Sequence, residues 1–139
     1  MYHNVLPADF QNQYFSVQQR ELVPVCVVQP ESTDQVSQVI NVLNQQECPF
    51  AIKSGGHGFQ AGTSNIHNGL VIDLSKLNGI ELSDSGSTAA IGTASRWGDV
   101  YLKLQEHGLL TVGGRVASVG VGGFTLGGKL ARTFELLHI

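Results

Sequence analysis

A histidine lies among closely spaced glycines in the segment IKSGGHGFQAGTSN, residues 52–65. A neutral imidazole is a competent nucleophile near pH 7, so His57 could attack an electrophilic carbon. Glycine is costly in chain entropy, and four glycines in so short a segment indicate that bare backbone is needed there. Backbone N–H groups that no side chain covers can form a concave binding site for an anion. The segment therefore predicts an anion-binding loop that also carries a nucleophile.

A second glycine-rich segment, GGRVASVGVGGFTLGG, occupies residues 113–128. All 17 glycines of the chain fall between Gly55 and Gly128, and apolar segments alternate with them, which is not the pattern of a linker. Each cluster directly follows a predicted strand. One bound diphosphate explains both clusters more economically than two unrelated turns, although simple turns remain the alternative.

Two other nucleotide-binding patterns match poorly. Residues 56–61, GHGFQA, fit the dinucleotide fingerprint G-x-G-x-x-A, but GTSNIHNG cannot supply the helix that must follow. Asp73, the nearest candidate for the ribose-binding acid, lies only fifteen residues after Gly58. Residues 123–130 approach the phosphate-loop pattern, but Leu130 stands where a metal-binding hydroxyl is required.

The elements that must position these loops follow from hydrophobic periodicity and turn residues. The chain has a β-branched run, then an amphipathic segment with a Ser32/Gln35 capping box, then a second apolar run. This order predicts a right-handed βαβ unit. The first glycine loop comes directly after the second strand of that unit. Ser95 and Gly108 are expected to begin and end a second helix. The fold class is α+β, with both glycine loops at one edge. The predicted strands are residues 25–30, 50–54, 70–75, 87–95 and 109–113, and the predicted helices are residues 31–47 and 96–108.

Composition excludes several partner classes. The net charge is −3 and charged residues are only 14% of the chain, so nucleic acid and acidic membranes are not expected as partners. No apolar run approaches the ~20 residues needed to span a bilayer. The N-terminus lacks the basic and apolar regions of a signal peptide, and the compartment is left open. His57 and His67 alone do not form a metal-ligand set, so no metal is expected. Cys26 and Cys48 suggest two buried thiols, or else a disulfide.

Four segments in this order and spacing resemble the N-terminal FAD-binding region of flavin oxidoreductases typified by vanillyl-alcohol oxidase, p-cresol methylhydroxylase and berberine bridge enzyme. They are VVQPESTDQVSQVI, IKSGGHGFQAGTSN, GLVIDLSKLNGI and GGRVASVGVGGFTLGG. The resemblance implies the N-terminal part of a PCMH-type FAD-binding domain over residues 25–128. On this interpretation an N-terminal segment, residues 1–24, precedes the domain, and a divergent tail, residues 129–139, follows it.

The resemblance also implies roles for individual residues. The histidine of the G-G-H segment commonly forms a covalent bond from its ring nitrogen to the flavin 8α-methyl carbon, and His57 is the match. The alternative is that His57 only donates a hydrogen bond to a phosphate or closes the loop. Some relatives hold the flavin through a second link, from a cysteine, but Val116 occupies that position here. The implied FAD contacts are Ser54, Gly55, Gly56, His57 and Gly58 in the first loop, and Ser118, Val119, Gly120, Gly122, Gly123 and Gly127 in the second.

The implied activity is oxidation of a small organic substrate, in fungal secondary metabolism, by hydride transfer to flavin N5 with O₂ as a plausible electron acceptor. Family members continue for several hundred residues and are often secreted, whereas Lys129 interrupts the glycine-rich pattern here and the ending LARTFELLHI has no family counterpart. The expectation is a truncated chain. The alternative function is a catalytically inactive remnant that binds FAD weakly or not at all. The substrate, the catalytic residues and any protein partner are left open.

Overall fold

A computed structural model describes the backbone of residues 2–3 and 137–138 and the whole of residues 9–128. The predicted tail, 129–139, lies outside the described residues except for the short strand at 137–138. The described residues form a mixture of helices and strands, as predicted for the α+β class. Its strands are β1 Tyr2–His3, β2 Cys26–Val28, β3 Phe50–Lys53, β4 Leu70–Asp73, β5 Ile80–Leu82, β6 Ala89–Ile91, β7 Leu109–Leu110 and β8 Leu137–His138. Its α-helices are α1 Val17–Arg20, α2 Thr33–Gln45, α3 Trp97–Gln105 and α4 Val121–Leu126.

The main sheet has four strands in the order β1-β2-β4-β3. Strands β2 and β3 both pair in parallel with β4, and β1 pairs antiparallel with β2. The β2-α2-β3 unit therefore has parallel strands, as predicted, with β4 inserted between them. In such an arrangement the carboxyl ends of β3 and β4 lie at the same edge, so the loop after β3 leaves the sheet beside the end of β4.

Helix α2 forms for the reasons that the sequence indicates. Ser32 is its N-cap, and the Ser32 hydroxyl accepts a hydrogen bond from the Gln35 backbone N–H at 3.2 Å. The Gln35 side chain reaches back one residue further than in the usual capping box and accepts from the Glu31 N–H at 2.8 Å. The apolar stripe of α2 packs, through the buried Leu43, on Val28 and Ile72 of the sheet.

The opposite face of the sheet is covered by the segment before β2. Phe10 and Tyr14 are buried there against Val27 and Val71, and their rings meet edge to face at 5.5 Å between centroids. Residues 27 and 28 thus face different layers, as alternation along a strand requires. The sheet is packed on both sides, which explains why its central residues, Val71 and Ile72, are fully buried.

A third cluster of apolar residues surrounds Trp97, the largest buried side chain. Val100, Leu104 and Leu109 are buried with it, and the β5–β6 hairpin packs against the cluster. Phe124 from α4 lies edge to face on the Trp97 ring at 5.2 Å. This cluster anchors the second glycine-rich segment to helix α3.

Four local features differ from the prediction. The second glycine segment is predicted as loop throughout, but residues Val121–Leu126 form α4, since Phe124 packs on the Trp97 cluster and this overrides the low helix propensity of glycine. Arg96, not Ser95, is the N-cap of α3; the buried Ser95 hydroxyl instead donates to the Asn78 carbonyl at 3.0 Å. Strand β5 has no counterpart among the predicted strands. The predicted pair of buried thiols is also not observed, because Cys48 is exposed and Cys26 is half-buried, both as free thiols.

Candidate functional site

A cleft of about 720 Å³ lies between the two glycine-rich segments. Its volume falls within the roughly 300–1,000 Å³ range of small-molecule sites. It is lined from one side by residues 54–64 and from the other by residues 113–127. The structure thus brings together most of the predicted site residues at this cleft: Ser54, Gly55, Gly56, His57, Gly58, Val119, Gly120, Gly123 and Gly127.

The other two predicted site residues, Ser118 and Gly122, are not part of the cleft lining. The Ser118 hydroxyl is instead within 2.9 Å of the His57 ring. A Cβ on Gly122 would lie 2.8 Å from the Thr93 carbonyl oxygen, so this glycine is needed for packing of α4 on the loop before α3. Whether either residue contacts a ligand stays a prediction.

The two glycine segments meet backbone to backbone. A Cβ built on Gly120 would lie 2.5 Å from the Gly55 nitrogen and 2.8 Å from its Cα. Residues on both sides of Gly120 are held by hydrogen bonds to the start of α3, from Trp97 N–H to the Val119 carbonyl at 3.0 Å and from Val121 N–H to the Ser95 carbonyl at 2.9 Å. Gly55 and Gly120 are therefore required by the contact between the loops, quite apart from any ligand.

The first loop presents a run of free backbone donors. Gly55, Gly56, His57 and Gly58 follow one another, and their N–H groups donate to no acceptor within residues 2–3, 9–128 and 137–138. Gly56 has φ +68°, the left-handed conformation that glycine adopts without strain. The Gly56 carbonyl oxygen accepts a hydrogen bond from the Phe15 N–H at 3.0 Å. Successive free N–H groups with one residue in this conformation form a nest for an anion.

The imidazole of His57 is held on two sides. Its Nε2 lies 2.9 Å from the Ser118 Oγ, and its ring is stacked on Phe15 with 4.6 Å between centroids and 17° between planes. Phe59 meets Phe15 edge to face. Nδ1 has no hydrogen-bond partner in the described part of the chain. Burial, and secondarily the positive charge of Arg96, lower the pKa of His57 below 6.5, so the ring is neutral and nucleophilic at pH 7.

A buried ion pair lies beneath the first loop. Lys53, the last residue of β3, places its Nζ 3.1 Å from the Asp73 Oδ1, and both side chains are almost fully buried. Gln13 accepts from Lys53, while Gln29 and the Ser75 N–H donate to Asp73. Because Asp73 is buried and fully partnered in this network, it is unavailable to a ribose. This agrees with the poor fit of the dinucleotide fingerprint. The network ties the ends of β3 and β4 where the loop begins.

Residues 24–136 match a family described as "FAD binding domain". The chain belongs to this family of FAD-binding domains. It is the type found in the vanillyl-alcohol oxidase, p-cresol methylhydroxylase and berberine bridge enzyme group, as the four sequence segments indicated. The FAD-binding fold and membership of an FAD-dependent oxidoreductase family are thereby confirmed.

Relatives of this FAD-binding domain are longer proteins. The FAD-dependent monooxygenase tpcD of Cochliobolus heterostrophus is 41% identical over 125 residues, a match that covers 90% of this chain and 24% of the relative. The crystal structure of aclacinomycin oxidoreductase is 29% identical with a TM-score of 0.74, covering 86% of this chain and 24% of that one. The carbohydrate oxidase of Microdochium nivale, 19% identical with a TM-score of 0.76 over 88% of this chain and 27% of that one, shares the fold. The chain spans about a quarter of the length of these proteins.

The cleft of this FAD-binding domain fits the cofactor. The nest of free amides suits a diphosphate, and a Cβ on Gly123 would meet no atom within 4 Å, so the cleft is open beside the start of α4. The Ser64 Oγ is buried at the cleft wall and has no hydrogen-bond partner among the described residues, so it is free to pair with a ligand. Ser64 was not among the predicted site residues, although it lies in the first glycine-rich segment, residues 52–65.

Further cleft residues were also missed: Phe59, Thr63, Gly113, Gly114, Arg115 and Phe124. Gly113 and Gly114 begin the second glycine-rich segment, whereas the other four carry no glycine or histidine signal. Val116, where some relatives carry a flavin-linked cysteine, does line the cleft, while neither Cys26 nor Cys48 does. In the described part of the chain no three His, Cys, Asp or Glu side chains cluster as metal ligands. None of its helices is both long and apolar enough to cross a membrane.

Proposed function

We propose that the two glycine segments hold FAD with its diphosphate on the nest formed by residues 55–58, and that His57 is the point of covalent attachment. The observation that carries the proposal is the union, in one cleft, of four free amides and a neutral histidine. An anion bound to several backbone N–H groups gains charge-assisted hydrogen bonds that no side chain obstructs. The Ser64 hydroxyl adds one further donor at the same wall.

The geometry also favours one ring nitrogen for the attachment. When Nε2 carries the ring proton and donates it to the Ser118 Oγ, Nδ1 is the nitrogen that keeps a lone pair available. The bond would join Nδ1 to the 8α-methyl carbon of the flavin and break one C–H bond of that methyl group. Two protons leave, one from the methyl group and one from the imidazole ring. The electron pair would pass to the flavin ring and from there to O₂, so that the atoms and electrons of the step balance. A neutral imidazole is required, since a protonated ring has no lone pair.

The proposed activity of the whole protein is that of an FAD-dependent oxidoreductase acting on a small organic substrate of fungal secondary metabolism. Bound FAD supplies two-electron chemistry, accepting a hydride at N5 and passing electrons to O₂. Support comes from fungal relatives that are named FAD-dependent monooxygenases and from solved structures of oxidases that share the fold. This chain contributes the residues that bind the diphosphate and fix the flavin.

The test is acid precipitation of the chain after incubation with FAD, followed by the flavin absorbance of the pellet. The wild-type pellet is expected to stay yellow and the His57→Ala pellet to be colourless. His67→Ala is the matched control, because His67 is exposed in a turn outside the cleft lining and its loss should change nothing. Flavin that remains attached to His57→Ala would overturn the covalent assignment.

Reversible binding is measured separately by the quenching of FAD fluorescence. His57→Ala is expected to keep reversible FAD binding, because the amides of residues 55–58 are backbone groups and survive the substitution. A wild-type chain that neither binds FAD reversibly nor retains it after acid would refute the binding proposal. That outcome would support the alternative, an inactive remnant.

A further inference from the structure

The plane of the His57 ring is set by Phe15, but stacking alone leaves an ambiguity. Rotation of the ring by 180° about χ2 keeps the stack at 4.6 Å and exchanges the positions of nitrogen and carbon atoms. Such terminal torsions are roughly two-fold, so both orientations are accessible to an unrestrained histidine. Neutral histidine also has two tautomers, and only one has its lone pair on Nδ1.

We propose that Ser118 is the positioning residue that resolves both ambiguities for His57, by accepting a hydrogen bond from Nε2–H. This rests on the proposed covalent role of His57. In the flipped ring a carbon would take the place of Nε2, and the 2.9 Å contact to Ser118 Oγ would lose its hydrogen bond. With the proton on Nε2, the lone pair is on Nδ1, which makes no hydrogen bond with the described residues.

Ser118 is itself held in place by the start of helix α3. Arg96 donates from Nη1 to the Ser118 carbonyl oxygen at 2.9 Å. Next to Ser118, the Val119 carbonyl accepts from the Trp97 N–H at 3.0 Å, and the Val119 N–H donates to the Val116 carbonyl at 3.1 Å. The hydroxyl therefore stands on a backbone fixed from both sides. A serine so constrained can select one ring orientation, whereas a mobile one would follow the ring.

This role of the Ser118 hydroxyl does not depend on the predicted contact of residue 118 with FAD. Ser118 is not in the lining of the cleft, and its hydroxyl is engaged by His57 across 61 residues of sequence. Removal of the hydroxyl should therefore leave reversible FAD binding intact and slow only the covalent step. A neutral hydrogen bond of ordinary strength corresponds to roughly a 2- to 13-fold change in an equilibrium. Loss of tautomer and orientation control should slow attachment by about 10-fold.

The experiment uses the 139-residue chain in four forms: wild type, Ser118→Ala, Ser118→Thr and Ser87→Ala. Ser118→Thr keeps the hydroxyl and should restore the wild-type behaviour. Ser87→Ala is the matched control, because Ser87 is an exposed serine of the β5–β6 turn that hydrogen-bonds only to Ser85 among the described residues. The first measurement is the tautomer of the His57 ring, from long-range ¹H–¹⁵N NMR of the chain without FAD, assigned with His57→Gln. The second is the rate at which added FAD becomes acid-stable.

The expected result is a dominant Nε2–H tautomer in wild type, Ser118→Thr and Ser87→Ala, and a mixture in Ser118→Ala with about 10-fold slower attachment. A dominant Nδ1–H tautomer in the wild type would overturn the proposal, as would attachment to Ser118→Ala at the wild-type rate. If FAD never attaches to the wild type, the covalent role of His57 fails, but the NMR measurement still decides whether Ser118 fixes the ring. Should Ser118→Ala not fold, the wild-type tautomer and the Ser118→Thr rate decide it.

Discussion

The contact between Gly55 and Gly120 makes Gly120→Ala a direct test of how the cleft is built. The added Cβ would lie 2.5 Å from the Gly55 nitrogen and 2.8 Å from its Cα, where ordinary contacts begin at 3.4 Å. The Ser54 hydroxyl, at 2.6 Å, would also be displaced. The nearest atom is backbone, which cannot rotate away as a flexible side chain can. The two loops must therefore separate by about 1 Å, on the scale of a van der Waals contact.

The expected magnitude follows from overpacking, which costs about 1–3 kcal/mol when a well-packed contact is forced apart. In a domain of this size that corresponds to a fall in melting temperature of roughly 4 to 12 °C. Because the loops carry the amides of residues 55–58 on one side and Ser118 on the other, their separation should also lengthen the His57–Ser118 hydrogen bond. Thermal unfolding followed by circular dichroism measures the first effect, and the His57 ring resonances measure the second.

Gly123→Ala is the matched control, three residues further along. Its Cβ would meet no atom within 4 Å and it lies inside α4, where alanine is favoured over glycine by about 0.5–1 kcal/mol. This variant should be at least as stable as the wild type, yet bind FAD more weakly, because the new methyl group enters the cleft. If Gly120→Ala proves as stable as Gly123→Ala, the backbone contact between the loops does not constrain the cleft and the reasoning is wrong.

Two further predictions concern charge. Lys53→Met should lower the free energy of unfolding in urea at pH 7 by about 3–5 kcal/mol, because Asp73 is left buried without its counter-ion. The double variant Lys53→Met/Asp73→Leu should recover most of this loss. An equal loss in the single and the double variant would contradict the prediction. His57 has a pKa below its ordinary 6.5, so its contribution to stability is present above pH 6.5 and is lost as the pH falls through the lowered value. The stability of the wild type relative to His57→Gln should therefore decrease between pH 7.5 and pH 5, and a difference independent of pH would show that burial of the ring has no such effect.

Local patterns predicted the elements whose causes are local. Helix α2 follows from an apolar stripe and a capping serine, both of which act within four residues, and both are confirmed. Strands β2, β3 and β4 were predicted from short apolar runs, β-branched in the case of β2. Helix α4 was missed because its glycine-rich sequence has little intrinsic helix propensity, and tertiary contacts, among them the packing of Phe124 on Trp97, stabilise it.

The sequence by itself determined the chemistry available at the site: bare amides in a row, one histidine among them and a second glycine-rich segment downstream. It also placed the chain in its FAD-binding family. Only the tertiary structure showed that the backbones of Gly55 and Gly120 are in close contact and that Asp73 forms a buried ion pair with Lys53. It also showed that Ser118 contacts Nε2 of His57, 61 residues away in the sequence. The physical reason is that periodicity and capping report on neighbours along the chain. Contacts between distant segments depend on how the main sheet and the Trp97 cluster dock, which no local pattern encodes.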